Sequence, residues 1–331
     1  MRITVVGAGS WGTTVAALAA RENPTVLWAR RPELAEAINA RSENVDYLPG
    51  VRLPYSLRAL SNPIEAVSGA EAVVMGVPSH GFREVFRTIG PAIGAEVPVI
   101  SLTKGIEQGS LRRMTEVVAE EAPGLSPARV GVLTGPNLAR EVAQGFPAAA
   151  VVALGDEGAA ARLQRALMSP TFRVYTNRDV TGCELAGALK NVMAIAAGMA
   201  KGLGFGQNTL AALITRALAE LTRLGVAMGG RAETFAGLAG MGDLIATCQS
   251  DESRNNRVGM ELAGGRKLDE VIGEMRMVAE GVKTVRPVLE LATAHGVEMP
   301  IAAQVARVLY EGAHPREAVL ALMTREAKAE Q

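Results

Sequence analysis

ITVVGAGSWGTTVAALAARENPTVLW, residues 3–28, is the stretch on which the reading of the fold turns. It opens with a β-rich run at 3–6. Gly7, Gly9 and Gly12 follow at once in the spacing GxGxxG, then an alanine-rich segment predicted helical to about residue 21 and a second strand at 25–28. Strand, glycine turn, helix, strand is the context in which this weak motif gains meaning. Gly7 permits the tight turn, Gly9 lets a pyrophosphate approach the backbone, and Gly12 lets helix and strand pack closely. The helix start then presents N–H groups to the phosphates. Ser10 and Trp11 lie within the turn.

Working outward, the end of the second strand reads the cofactor type. An NAD-selective site carries Asp or Glu there for the ribose hydroxyls. Here Ala29, Arg30 and Arg31 follow, and guanidinium groups pair with phosphate. NADP(H) is favoured, with NAD(H) the alternative. Further strands are predicted at 57–60, 72–77, 98–102, 130–134, 149–154 and 172–175. Most are apolar on both faces, as a covered, largely parallel sheet requires. Beyond residue 175 the strand signal fades, and helices are predicted at 179–199, 207–224, 255–263, 267–275, 282–295, 301–309 and 315–324. The expected class is an α/β N-terminal Rossmann-like domain with a mostly parallel sheet, plus an all-α C-terminal domain. The expected boundaries are 1–178 for the dinucleotide-binding domain and 179–331 for the helical, substrate-handling one.

Bulk properties narrow the partners. The 331 residues carry 34 basic and 34 acidic side chains, a formal charge of zero, which speaks against nucleic acid or an anionic membrane surface. The two cysteines, Cys183 and Cys248, form no CxxC pair and fit a reducing, cytoplasmic setting. Histidines stand singly at 80, 295 and 314, so no metal site is expected. The start of the chain resembles a short signal peptide, but the glycines interrupt its apolar run. No stretch of 18 or more uncharged apolar residues suggests a membrane span.

Functional residues of such a fold sit beyond the carboxyl ends of strands. Pro78, Ser79 and His80 follow one strand; Thr103, Lys104 and Gly105 follow another; Gly135, Pro136 and Asn137 follow a third. Lys104 suits an anionic or carbonyl-bearing substrate. His80 is either a general base or a polar residue lining the crevice. Past the domain boundary, GCELAGALKNVM (182–193) places Lys190 as the only charged residue between 185 and 200. Desolvation there lowers the cost of losing its proton, which makes a lysine an acid–base group; alternatively Lys190 snorkels to water. Two polar loops follow. In GLAGMGDLIATC (237–248), Asp243 is a site residue or a helix cap. In the loop at 250–257, Ser253, Arg254 and Asn255 form a phosphate site or a solvated surface. The residues alone also leave open a hydroxy-acid dehydrogenase and an NADP-binding sensor without turnover.

Together these stretches resemble bacterial NAD(P)-dependent glycerol-3-phosphate dehydrogenase over essentially the whole chain. The matching runs are GAGSWGT, YLPGV, VPSH, SLTKGIE, GPNLAREVAQGFPAA, ELAGALKNVMAIAAGM, ALITRALAEL, GLAGMGDLIATC, SRNNRVG and VAEGVKT. The resemblance implies that Lys190 is the proton donor and acceptor at the substrate's secondary alcohol carbon. It implies that Lys104 contacts both substrate and cofactor, with Asp243 and Thr247 around the reacting end. Ser253, Arg254 and Asn255 would hold the substrate phosphate, and Gly135 and Asn137 the substrate-side turn. Asn137 departs from the Ser or Thr usual there. Implied cofactor contacts are Ser10, Trp11, Arg30, Lys104, Ala139, Arg254, Val278 and Glu280, with Tyr47 lining the pocket. The substrate pair would be dihydroxyacetone phosphate and sn-glycerol 3-phosphate, feeding phospholipid synthesis. A homodimer is also implied.

Overall fold

The computed structural model describes residues 1–275 and 279–326. Among the described residues eight strands form one sheet: β1 (Ile3–Val6), β2 (Thr25–Trp28), β3 (Arg58–Leu60), β4 (Ala72–Met75), β5 (Val99–Ser101), β6 (Val130–Thr134), β7 (Ala148–Ala153) and β8 (Phe172–Asn177). Their order is β3-β2-β1-β4-β5-β6-β7-β8. The chain reverses direction across the sheet between β1 and β4, so a crevice opens beyond their carboxyl ends. Helices α1 (Ser10–Ala19), α2 (Pro32–Arg41), α3 (Pro63–Val67), α4 (Ser79–Ile89), α5 (Met114–Glu121), α6 (Ala139–Ala143) and α7 (Glu157–Leu167) cover it. Side chains alternate between two cores. Val5, Leu27, Val74 and Ile100 pack with Val15 of α1 and Leu163 of α7. Val6, Val26, Val73 and Val99 pack with Phe82 and Phe86 of α4.

All strand pairs are parallel except β6 with β7, where Val132 faces Ala153 in antiparallel register. The connection between them contains only the five-residue α6. Such a helix rises about 7.5 Å, too little to carry the chain back along a strand and start a parallel one.

The remaining helices are α8 (Val180–Gly202), α9 (Gln207–Ala227), α10 (Ala232–Ala236), α11 (Asp243–Gln249), α12 (Arg254–Ala263), α13 (Leu268–Glu274), α14 (Glu280–Ala294), α15 (Pro300–Tyr310) and α16 (Pro315–Met323). The glycine run at Leu238–Gly242, expected as a loop, is one π-helical turn leading into α11. Helix α8 is the axis of this half. It is long and apolar enough by composition to cross a membrane, yet 94% of that window is buried inside the protein. Helices α9, α11, α12, α14 and α15 surround it. A helix apolar on all sides needs such a sheath. Its start is fixed by Asp179, whose Oδ1 accepts from the Gly182 N–H at 2.8 Å. Oδ2 accepts from the Arg231 N–H (2.8 Å) and the Thr234 hydroxyl (2.6 Å), so one carboxylate serves the starts of α8 and α10.

Glu220 on α9 occupies the start of α15 in the same way. It is 2% exposed and accepts from the N–H groups of Ile301 (2.8 Å) and Ala302 (3.4 Å). Burial nevertheless pushes its carboxyl up to about 7. That lies above the unfolded value of about 4.3, so the folded state holds the proton more tightly. The stability linked to this proton is complete below about pH 4.5 and lost as pH rises through about 7. Glu220→Gln is expected to flatten the fall in melting temperature between about pH 5 and 8, an effect of up to ~3 kcal/mol. An unchanged pH dependence in calorimetry would exclude this role.

Candidate active site

The glycine turn is built as its spacing requires. Gly7 has φ +120°, and a Cβ there would sit 2.6 Å from the Gly76 carbonyl oxygen. A Cβ on Gly12 would meet the Gly7 carbonyl oxygen at 2.1 Å, so helix and turn touch backbone to backbone. Gly9 precedes α1, and a Cβ there would meet nothing within 4 Å. The start of α1 is therefore open to a pyrophosphate group. The Ser10 hydroxyl donates to the Tyr47 carbonyl at 2.5 Å. Trp11 stands edge-on to Phe172 at 6.3 Å, with its indole N–H buried and without a partner. These features fit a dinucleotide.

Arg30 and Arg31 are both exposed beyond β2, but they are not equivalent. Arg31 precedes α2 and its guanidinium is paired with Asp46. Ala139 opens α6, and its carbonyl accepts from the Thr14 hydroxyl of α1 at 3.1 Å. Val278 lies outside the described residues. Both carboxylate oxygens of Glu280 accept from Ser79, from its N–H at 3.0 Å and its hydroxyl at 2.6 Å.

Beyond the ends of β5 and β6 the structure brings five predicted residues together. Lys190 is 5% exposed, and its Nζ donates to Asp243 Oδ1 at 2.5 Å and to the Thr247 hydroxyl. Lys104 Nζ donates to the other Asp243 oxygen at 2.6 Å and to the Gly135 carbonyl at 3.1 Å. Asp243, 1% exposed, thus bridges two ammonium groups. Asp243 is the first residue of α11 rather than its cap, which is Gly242. Burial pushes Lys190 down to about 8, with the Lys104 charge acting the same way and Asp243 opposing both. A lysine in that range exchanges its proton near neutrality. With both lysines charged, the trio carries a net positive charge, which suits an anionic substrate.

The Asn137 amide donates to the Ala149 carbonyl at 2.9 Å, while its buried Oδ1 has no partner. Ser253 caps α12, its hydroxyl accepting from the Asn256 N–H at 3.3 Å. Arg254 is exposed on the first turn of α12. Asn255 is buried; its amide donates to Asn191 Oδ1 at 3.0 Å and its oxygen accepts from the Gly281 N–H at 2.9 Å. Asn191 in turn donates to the Lys104 carbonyl at 2.8 Å.

Asn191 and Ser79 are the two residues the sequence reading left without a role. Asn191 had a visible signal: it is the only polar residue besides Lys190 between 185 and 200. His80 is exposed on α4 and stands outside the hydrogen-bonded cluster. Burial pushes the Cys183 and Cys248 thiols up to about 12, so neither is a ready nucleophile. Among the described residues no group of three or more His, Cys, Asp or Glu side chains is placed to hold a metal.

Comparison with known proteins matches this arrangement along both halves. Residues 2–160 match the model of the NAD-dependent glycerol-3-phosphate dehydrogenase N-terminus, and 179–320 that of its C-terminus. The chain is 56% identical over 305 residues to glycerol-3-phosphate dehydrogenase (NAD(P)+) 2 of Sphingopyxis alaskensis, covering 92% of this chain and 91% of that protein. It is 52% identical over 331 residues to the Thermobifida fusca glycerol-3-phosphate dehydrogenase (NAD(P)+), covering 99% and 98%. The crystal structure of the Coxiella burnetii glycerol-3-phosphate dehydrogenase superposes with a TM-score of 0.93 at 38% identity, covering 98% of this chain and 99% of that one. By its sequence and its fold, the chain belongs to the NAD-dependent glycerol-3-phosphate dehydrogenase family.

Proposed function

We propose that this protein interconverts dihydroxyacetone phosphate and sn-glycerol 3-phosphate, with Lys190 moving the proton. The observation that carries the reading is the trio of buried Lys190, buried Asp243 and half-buried Lys104 beyond the carboxyl ends of β5 and β6. When bound at the glycine turn, a nicotinamide dinucleotide supplies or accepts the hydride at C2. In reduction, the Lys190 ammonium gives its proton to the carbonyl oxygen as C2 gains the hydride, leaving an alcohol. In oxidation, neutral Lys190 takes the hydroxyl proton. Asp243 holds the Lys190 amine in place and, with Thr247, orients it. Lys104 faces the negative charge that grows on oxygen. Ser253, Arg254, Asn255, Gly135 and Asn137 surround the substrate, Arg254 engaging its phosphate.

Residues 1–178 bind the cofactor in this reading, through Gly7, Gly9, Ser10, Trp11, Gly12, Arg30, Arg31, Lys104 and Ala139, with Arg254, Val278 and Glu280 contributed by residues 179–331. With Arg31 held by Asp46, Arg30 is the nearer candidate for a 2′-phosphate, so NADP(H) is accepted. The protein works as a cytoplasmic homodimer that supplies glycerol phosphate for phospholipid synthesis.

Consumption of NADPH absorbance with dihydroxyacetone phosphate, set against a panel of 2-keto acids, tests the assignment. Turnover is expected with the phosphate ester and not with the acids. Preference for a keto acid would replace this reading by a hydroxy-acid dehydrogenase, and no turnover with any of them by a binding protein.

A further inference from the structure

We propose that Ser79 is a positioning residue for Lys104, acting through a two-pronged clasp on the Glu280 carboxylate. The inference rests on Lys104, Asp243 and Lys190 being the reaction centre. The clasp joins the start of α4 to the start of α14, one element from each half of the chain. The Ser79 N–H donates to Oε1 at 3.0 Å and its hydroxyl to Oε2 at 2.6 Å. Gly105 lies directly against it: a Cβ there would stand 2.8 Å from Glu280 Oε2 and 2.9 Å from the Ser79 hydroxyl.

The clasp closes a ring of hydrogen bonds around the loop that carries Lys104. Next to Glu280, the Gly281 N–H donates to Asn255, Asn255 donates to Asn191, and Asn191 donates to the Lys104 carbonyl. On the other side the Thr103 hydroxyl donates to the Val77 carbonyl at 2.6 Å. Thr103 is thereby held by Val77 and Lys104 by Asn191, while the clasp leaves no room for a side chain at Gly105. The Lys104 side chain starts from that fixed backbone and reaches Asp243 at 2.6 Å. A displacement of about 1 Å at residue 104 is enough to break such a contact.

The resemblance makes Glu280 a cofactor contact. Each of its oxygens also accepts from Ser79, and a carboxylate oxygen has room for a second donor, so Glu280 serves the loop at 103–105 as well as the cofactor. Lys190 is faced by Asp243, Thr247 and Cys248 from α11 and by Lys104 from the β5 loop. Loosening Lys104 withdraws a positive neighbour and leaves Asp243 wholly to Lys190. Both changes favour the Lys190 ammonium, so Lys190 titrates at a higher pH.

The test uses the full chain with Ser79→Ala, Glu280→Gln, the double variant and Ser79→Thr. In substrate-free protein, a ¹³C-lysine NMR titration of Lys190 is expected to move upward by ~0.5–1 unit in Ser79→Ala, part of the shift a neighbouring charge can exert. Reduction of dihydroxyacetone phosphate is expected to lose ~10-fold in kcat/KM in the same variant, as a displaced lysine would. The double variant should be no worse than the poorer single, because both remove one clasp, and threonine should restore both readouts. An unmoved Lys190 titration, or losses that multiply in the double variant, overturns the proposal. Wild-type protein that leaves dihydroxyacetone phosphate unreduced while Ser79→Ala still shifts Lys190 would overturn the proposed reaction and leave the clasp standing.

Discussion

Lys190→Ala is expected to lower kcat by at least ~10²–10⁴-fold in both directions, the range that positioned proton transfer contributes, while NADPH still binds. The loss should come without unfolding. Asp243 keeps Lys104 as a partner, so removal of Lys190 leaves no carboxylate unpaired. Burial pushes Lys190 down to about 8, well below the unfolded value. A lysine so depressed costs folding free energy below about pH 8, and that cost fades only as pH rises toward about 10.4. Lys190→Met, which fills the same space without a charge, is therefore expected to melt no lower than the wild type. The wild-type pH profile follows from the same group. Reduction needs the ammonium and declines as pH rises through about 8; oxidation needs the free amine and rises over the same interval. Steady-state kinetics in both directions checks this, and near-normal turnover of Lys190→Ala sinks the assignment.

The largest effect on folding is expected at Gly259. A Cβ there would sit 2.1 Å from the Ile195 carbonyl oxygen and 2.7 Å from the Met199 nitrogen. The opposing Gly198 on α8 would bring its own Cβ to 1.9 Å from the Asn256 carbonyl oxygen. The two helices touch along their backbones, and no rotamer change relieves such a contact. Two terms oppose each other in Gly259→Ala. Alanine gains about 1 kcal/mol of helix propensity. Overpacking costs about 1–3 kcal/mol where side chains can adjust, and more where the neighbour is backbone. The second term should win, with a net loss of ~3 kcal/mol in urea unfolding and a fall in kcat as α8 shifts away from α12. A variant more stable than wild type would show that the helices have slack between them.

Much of this was legible in the chain, and the rest was hidden for physical reasons. The strands at 3–6, 25–28 and 130–134 fall where their apolar runs lie. The reversed direction of β7 was not legible, because a run apolar on both faces reads the same in either direction. Lys190 stood out as a lone charge in an apolar helix. Asp243 looked equally like a cap, and only its contacts with two lysines distant in sequence separate the readings. Arg31 matched the expected phosphate group by position, whereas its partner Asp46 lies in a stretch with no periodic pattern. The ring through Ser79, Glu280, Gly281, Asn255 and Asn191 links four helices, α4, α14, α12 and α8, by hydrogen bonds, and local spacing carries no trace of it.

Helix α8 also poses a problem of timing during synthesis. Its closest-packed partner, α12, follows it by about fifty residues and α14 by about eighty. At about 5–20 residues per second, a ribosome needs several seconds to deliver them. Throughout that delay a 23-residue helix with a membrane-like composition has, of its surrounding helices, only the earlier α9 and α11 to cover it. Truncation before residue 254 should therefore leave α8 as an aggregation-prone end, which light scattering of the truncated chain would show.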